Sequence, residues 1–183
     1  MEKEFTKNEK KVLKTFLERP TVLFSAREIA RLIKITHPTV STALKKLKKQ
    51  DLVIQVSQKN KSRIGNTTLW QANIENQDYK ATKRIENLKA LYSSGLINAI
   101  SQSTSPNAII LFGSYSRGED IEDSDIDLFV QSKEYNLNLK KFERKLHRKI
   151  NLTFSSELKS LSKEFFTNII NGIVIHGYLE VSE

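Results

Sequence analysis

Gly113-Ser-Tyr-Ser-Arg-Gly-Glu-Asp-Ile-Glu-Asp-Ser-Asp-Ile-Asp-Leu128 is the stretch that decides the reading of this chain. It follows Asn107-Ala-Ile-Ile-Leu-Phe112, whose apolar run predicts a strand buried on both faces. Ser114 to Gly118 suits a tight turn into a helix. Asp125, Ile126, Asp127 and Leu128 alternate polar and apolar, which is the period of a strand. Alternation puts Asp125 and Asp127 on one face, with Cα atoms about 6.6 Å apart. Ile126, Leu128 and Val130 then point the other way, into a core. Two carboxylates so placed can share a hard divalent cation such as Mg²⁺.

Simpler accounts cover only part of this stretch. A solvated acidic loop explains Glu119, Asp120, Glu122 and Asp123, but not two Asp interleaved with apolar residues. An EF-hand loop counted from Asp123 needs Gly where Leu128 stands. No Gly-Lys-Ser/Thr follows Gly113-Ser114, so it is not a Walker loop. Gly113-Ser114, then ten residues, then Asp125-Ile126-Asp127 resembles the Gly-Ser-x10-Asp-x-Asp motif of the polymerase-beta-like nucleotidyltransferases. In particular it is similar to the minimal nucleotidyltransferase (MNT) family, whose usual wording Arg117-Gly118 and Ser124 to Leu128 also match. The resemblance covers roughly residues 94–180. Downstream, Leu139 to His147 and Leu161 to Ile170 read as helices, Lys149 to Phe154 as a strand, and Gly172 to Tyr178 as a closing segment.

That resemblance implies a set of roles. Gly113 lets the backbone approach a triphosphate, Ser114 supplies a hydroxyl and an N–H, and Arg117 either contacts phosphate or pairs with the acidic loop. Asp125 and Asp127 hold Mg²⁺, with a nucleoside triphosphate as substrate or ligand. Such families use a third carboxylate on a neighbouring strand, and here that position holds Asn151. An amide can offer a carbonyl to a metal but cannot act as a carboxylate base. His147 and Glu157, near it in sequence, read as surface residues. Members of such families transfer nucleotidyl groups to proteins or small molecules, and some act as antitoxins toward a HEPN-type toxin protein.

The first part of the chain has a different character. Val12, Leu13, Phe16 and Leu17 predict a helix over Thr6 to Arg19, stopped by Pro20. Ser25 and Glu28 form the pattern of a capping box opening a helix from Ala26 to Ile33. Thr36 or His37 caps a third helix that runs to about Lys49, with Pro38 at its first position. Leu52 to Val56 and Thr67 to Ala72 read as strands flanking a polar loop with Lys59, Lys61 and Arg63. Three helices and a basic hairpin make a winged helix-turn-helix. The segment Thr36 to Val53 resembles the recognition helix and wing lead-in of bacterial and archaeal winged-helix regulators, with Asp51 where many have Gly. Short polar residues at a helix start can reach base edges in the major groove. Thr39, Ser41 and Thr42 are therefore the candidate base-reading residues. Lys45, Lys46, Lys49, Lys59, Lys61 and Arg63 are the candidate phosphate contacts on double-stranded DNA.

Charge agrees with that division. The 183 residues carry a net charge of +9, and all of the excess lies within residues 1–80, as expected of a nucleic-acid-binding module joined to something else. There is no cysteine, which excludes a disulfide scaffold, Cys-ligated zinc and thiol catalysis, and fits a cytoplasmic protein. No apolar run approaches a membrane span. The expected class is α+β: a winged helix over 1–75, a helical connector over 76–93, and a polymerase-beta-like nucleotidyltransferase fold over 94–183, a mixed sheet with flanking helices. Ile85, Leu88, Leu91 and Tyr92 form one connector stripe, expected to pack on the second domain or to serve as a homodimer seam. The function expected is a DNA-binding protein whose second domain binds nucleoside triphosphate and Mg²⁺ and transfers a nucleotidyl group. The alternative is a regulator or antitoxin-like partner in which Asn151 has made that domain catalytically degenerate.

Overall fold

The structure is a computed structural model that describes residues 5–58 and 67–180. The chain divides into two compact units, Met1–Lys80 and Ala81–Glu183.

In the first unit, α1 (Lys7–Glu18) starts where Thr6 and Glu9 exchange side-chain and backbone hydrogen bonds in a capping box. Ser25 and Glu28 do the same for α2 (Ala26–Leu32). Such caps are each worth about 1 kcal/mol because they satisfy amide groups that the helix cannot. The third helix, α3 (His37–Lys49), has Thr36 at its N-cap, so Pro38 is its second residue and not its first. It ends where Asp51 turns left-handed at φ +57°, the geometry in which Gly is common and which Asp tolerates. β1 (Val53–Gln58) and β2 (Thr67–Ala72) pair antiparallel, and Phe24 adds an isolated bridge to Trp70. Val12, Phe16, Ile29, Val40, Leu44 and Leu47 are all sealed from solvent, so the apolar stripes of α1, α2 and α3 meet in one core.

α4 (Gln77–Ser94) contains the division between the units. Tyr79, buried in the first unit, donates its hydroxyl to the Phe16 carbonyl at 2.8 Å. The expected stripe on α4 divides: Leu91 is sealed in the second unit's core and Leu88 packs beside it, while Ile85 and Tyr92 are 64% and 54% exposed. The spacing was helical, but the four residues do not share one environment.

In the second unit, Gly95 at φ +83° separates α4 from α5 (Leu96–Thr104). A four-stranded mixed sheet has the order β5-β4-β3-β6. β3 (Ala108–Phe112) lies antiparallel to β4 (Ile126–Val130) and to β6 (Ile173–Gly177). β5 (Ile150–Phe154) runs parallel to β4. α6 (Gly113–Arg117) joins β3 to the acidic loop, α7 (Lys140–Leu146) leads to β5, and α8 (Lys163–Ile170) leads to β6. Ile109, Leu111, Ile126, Leu128 and Val130 pack on one face of the sheet with Leu91, Leu96, Ile97, Ile100 and Phe142. Ala108, Ile110 and Phe129 pack on the other with Leu158, Ile169 and Phe165. That double covering explains why β3 is apolar at every position. Among the described residues no helix is long and apolar enough to cross a membrane.

Candidate functional site

The strand order brings the ends of β3, β4 and β5 together. Phe112 is the register partner of Asp127, and Asp127 is the partner of Asn151. Gly113 follows directly at φ +74°. A Cβ placed on it would lie 2.6 Å from Asp127 Oδ2, so the absent side chain is a steric requirement as well as a backbone one. Asp125 sits one residue before β4; the ladder opens at Ile126, whose N–H donates to the Lys149 carbonyl at 2.9 Å. Asn151 Nδ2 donates to Asp125 Oδ2 at 3.2 Å and to Asp127 Oδ1 at 3.0 Å, so these three side chains form one cluster.

Among the described residues no group of three or more His, Cys, Asp or Glu is arranged to hold a metal. The donor set at this cluster is two carboxylates and one amide. Turning the Asn151 amide over would offer its carbonyl oxygen in place of the N–H₂. Mg²⁺ commonly binds through one or two carboxylates with substrate phosphates and water completing its shell, so these residues fit it.

Ser114 is half-buried in α6. Arg117 donates from Nε to Glu119 Oε2 at 2.7 Å, the second of its two expected arrangements, in an exposed pair. His147 and Glu157 are exposed. A cleft of about 900 Å³ opens beside Asp125, lined by Glu122, Lys140, Glu143, Arg144, His147 and Lys149.

One expectation needs correction here. Asp120 is not part of a solvated loop: it is 1% exposed. Its Oδ2 accepts from Lys83 Nζ at 3.0 Å and from Arg148 at 3.2 Å, and its Oδ1 accepts from Asn87 Nδ2 at 2.7 Å. Burial lowers the Lys83 pKa against the pull of Asp120. Burial also pushes the neighbouring Tyr115 phenol up to about 12, so it stays protonated. Sequence spacing carries no signal for a partner so far along the chain as Lys83.

On the winged helix, Thr42, Lys45 and Lys49 are exposed, and Thr39 and Ser41 are half-buried. Thr39 Oγ1 lies 2.7 Å from Thr36 Oγ1. Lys46 is held on α1, with Nζ 2.8 Å from Glu9 Oε2. Burial opposes the Glu9 charge, but the hydrogen bonds from Lys46 and Thr6 outweigh it and hold that carboxyl below its usual value. Lys46, expected as a phosphate contact, thus also has an intramolecular partner. Lys59, Lys61 and Arg63 lie outside the described residues.

A four-stranded mixed sheet with Gly-Ser directly after one strand and Asp-x-Asp leading into its neighbour is the arrangement expected of a nucleotidyltransferase-type domain. Residues 95–179 match the family described as "Polymerase beta, Nucleotidyltransferase", and residues 8–64 match the MarR family. The chain therefore joins a MarR-family winged helix to a polymerase-beta nucleotidyltransferase domain: a DNA-binding, MarR-like regulator fused to a nucleotidyltransferase domain. A solved structure titled "Possible transcriptional regulator" from Methanosarcina mazei Go1 is 17% identical, with a TM-score of 0.38, over 54% of this chain and 78% of that one. No curated protein matches.

Proposed function

We propose that the C-terminal domain binds a nucleoside triphosphate with Mg²⁺, transfers its nucleotidyl group slowly or not at all, and serves the DNA-binding domain as a nucleotide-responsive partner. The observation that carries this reading is the contact of Asn151 with both Asp125 and Asp127. Gly113 has no side chain, and the Asp127 carboxylate lies against its backbone in the space a Cβ would take, so the backbone at this turn stays open to close approach. Asp125 and Asp127 are the groups that would hold the cation, with the Asn151 carbonyl as a weak third donor. When bound, Mg²⁺ neutralises phosphate charge and favours ionisation of an acceptor hydroxyl. Asn151 can orient that hydroxyl but cannot take its proton, whereas a carboxylate could. If transfer occurs, the acceptor is a protein or a small molecule, a HEPN-type partner among them.

DNA engagement is read as that of a two-fold dimer, because a single winged helix offers little contact area and palindromic sites match two-fold proteins. Calorimetry of ATP against the full chain tests the nucleotide reading. Binding should require Mg²⁺ and should vanish in a folded Asp125→Asn/Asp127→Asn variant. Equal affinity in that variant would reduce the acidic pair to a structural feature.

A further inference from the structure

Asp125 and Asp127 are held by different means. Asp127 is fixed by ladder pairing on both sides, to Phe112 and to Asn151. Asp125 precedes β4 and has no place in either ladder, so the loop that delivers it must set its position. That loop is anchored at one buried point, the Asp120 carboxylate, which receives Lys83 and Asn87 from α4 and Arg148 from the lead-in to β5. Arg148 also donates to the backbone carbonyls of Ile121 and Glu122. Ser124 closes the loop on itself, its hydroxyl accepting from the Ile121 N–H at 2.9 Å.

We propose that Lys83 and Asn87 are positioning residues, which through Asp120 hold the acidic loop so that Asp125 stands beside Asp127 in the metal-binding geometry. The inference rests on the nucleotide and Mg²⁺ reading above. Stability alone is a poor explanation for the arrangement. Replacing a buried ion pair by apolar groups of similar volume is often neutral or stabilising, because desolvating the charges offsets their attraction. What such a network adds is a fixed geometry. Here the fixed segment leads to Asp125, whose backbone lies outside both strand ladders. Neither side chain touches the cluster itself, so the effect of Lys83 passes through Asp120 and the loop, and that of Asn87 also through the Tyr115 carbonyl of α6, to which it donates at 2.9 Å.

The test uses the full chain with Lys83→Met and, separately, Asn87→Ala, each checked for folding by circular dichroism. Without nucleotide, amide hydrogen exchange over residues 120–125 should quicken in both variants while that of β3 and β4 stays as in the parent. With ATP, the Mg²⁺ concentration for half-maximal binding should rise by about 10–100-fold, the usual effect of removing an outer-shell support. Saturating Mg²⁺ should restore ATP affinity, which a merely damaged fold would not do. Unchanged exchange in the loop, or an unchanged Mg²⁺ midpoint, overturns the proposal. If the parent protein binds no ATP at any Mg²⁺ concentration but the loop still loosens in the variants, loop positioning stands and the nucleotide reading falls. Should Lys83→Met fail to fold, Asn87→Ala carries the test, because it leaves both cations on Asp120.

Discussion

Asn151 stands opposite Asp127 across the parallel β4–β5 ladder, and its Nδ2 donates to Asp127 Oδ1 at 3.0 Å. The same nitrogen reaches Asp125, so one neutral amide bridges both carboxylates. Asn151→Asp replaces that donor by a third negative charge. The variant should be destabilised by about 1 kcal/mol in chelator, the scale for exposed like charges about 4 Å apart in water. Added Mg²⁺ should raise its melting temperature more than that of the parent. Equal responses of the two proteins to Mg²⁺ would mean that position 151 does not face the cation.

Gly113→Ala tests the close approach on the other side of Asp127. The added Cβ would lie 2.6 Å from Asp127 Oδ2, at a backbone φ of +74°. Left-handed backbone costs an L-residue roughly 1–2 kcal/mol before any clash. Thermal melts should show at least that loss, and Mg²⁺-dependent ATP binding should weaken in the folded fraction. Gly118, at φ +71° as the C-cap of α6, supplies the control: Gly118→Ala carries similar strain away from Asp127 and should leave ATP binding intact.

For the winged helix, the expected readout is the salt dependence of DNA affinity. Each phosphate contact contributes about −0.9 to the log–log slope on duplex DNA. Lys45→Ala with Lys49→Ala should make the slope shallower by nearly 2 per protomer, nearly 4 for a two-fold dimer, and weaken all sequences alike. Ser41 and Thr42 substitutions should instead change which sequence is preferred. Lys46→Ala should lower the melting temperature as well, because Lys46 pairs with Glu9 across α1 and α3. A slope unaffected by the Lys45/Lys49 change would remove α3 from the DNA interface.

Acid should weaken the first unit. Glu9 and Glu28 both have pKa values below the usual carboxylate value of 4.5. For Glu9, hydrogen bonds from Lys46 and Thr6 prevail over burial; for Glu28 the cause is hydrogen bonding to Ser25. A carboxyl whose folded pKa lies below its unfolded one stabilises the fold above the unfolded pKa. That stabilisation is lost as pH falls through the folded value. Melting temperature should therefore drop as pH goes below 4.5, and Glu9→Gln should reduce the drop. A flat profile in the parent would contradict the two capping boxes.

Local features of this protein could be read from its residues, and long-range pairings could not. Ser25 and Glu28 announced α2, and Pro38 announced the start of α3, because caps act within three or four residues. The apolar run Ala108 to Phe112 announced a strand covered on both faces. Alternation separated Asp127 from Ile126 and Leu128 correctly, since Ile126 and Leu128 are sealed in the core. Asp120 was misread because its composition matches its acidic neighbours, whereas its burial depends on Lys83, Asn87 and Arg148. Lys46 was read only as a phosphate contact because its partner Glu9 lies on another helix. Helical spacing grouped Ile85 with Leu91, yet only packing could show that one is exposed and the other sealed.

The central claim is that this domain keeps the nucleotide site but has lost efficient transfer at Asn151. The most direct measurement is a labelled-ATP transfer assay with Mg²⁺ and one acceptor, run on the parent and on Asn151→Asp. The account predicts binding with little or no transfer by the parent, and a gain in the variant toward the 10²–10⁴-fold typical of general-base help. Rapid transfer by the parent, left unchanged or reduced by Asn151→Asp, would contradict it.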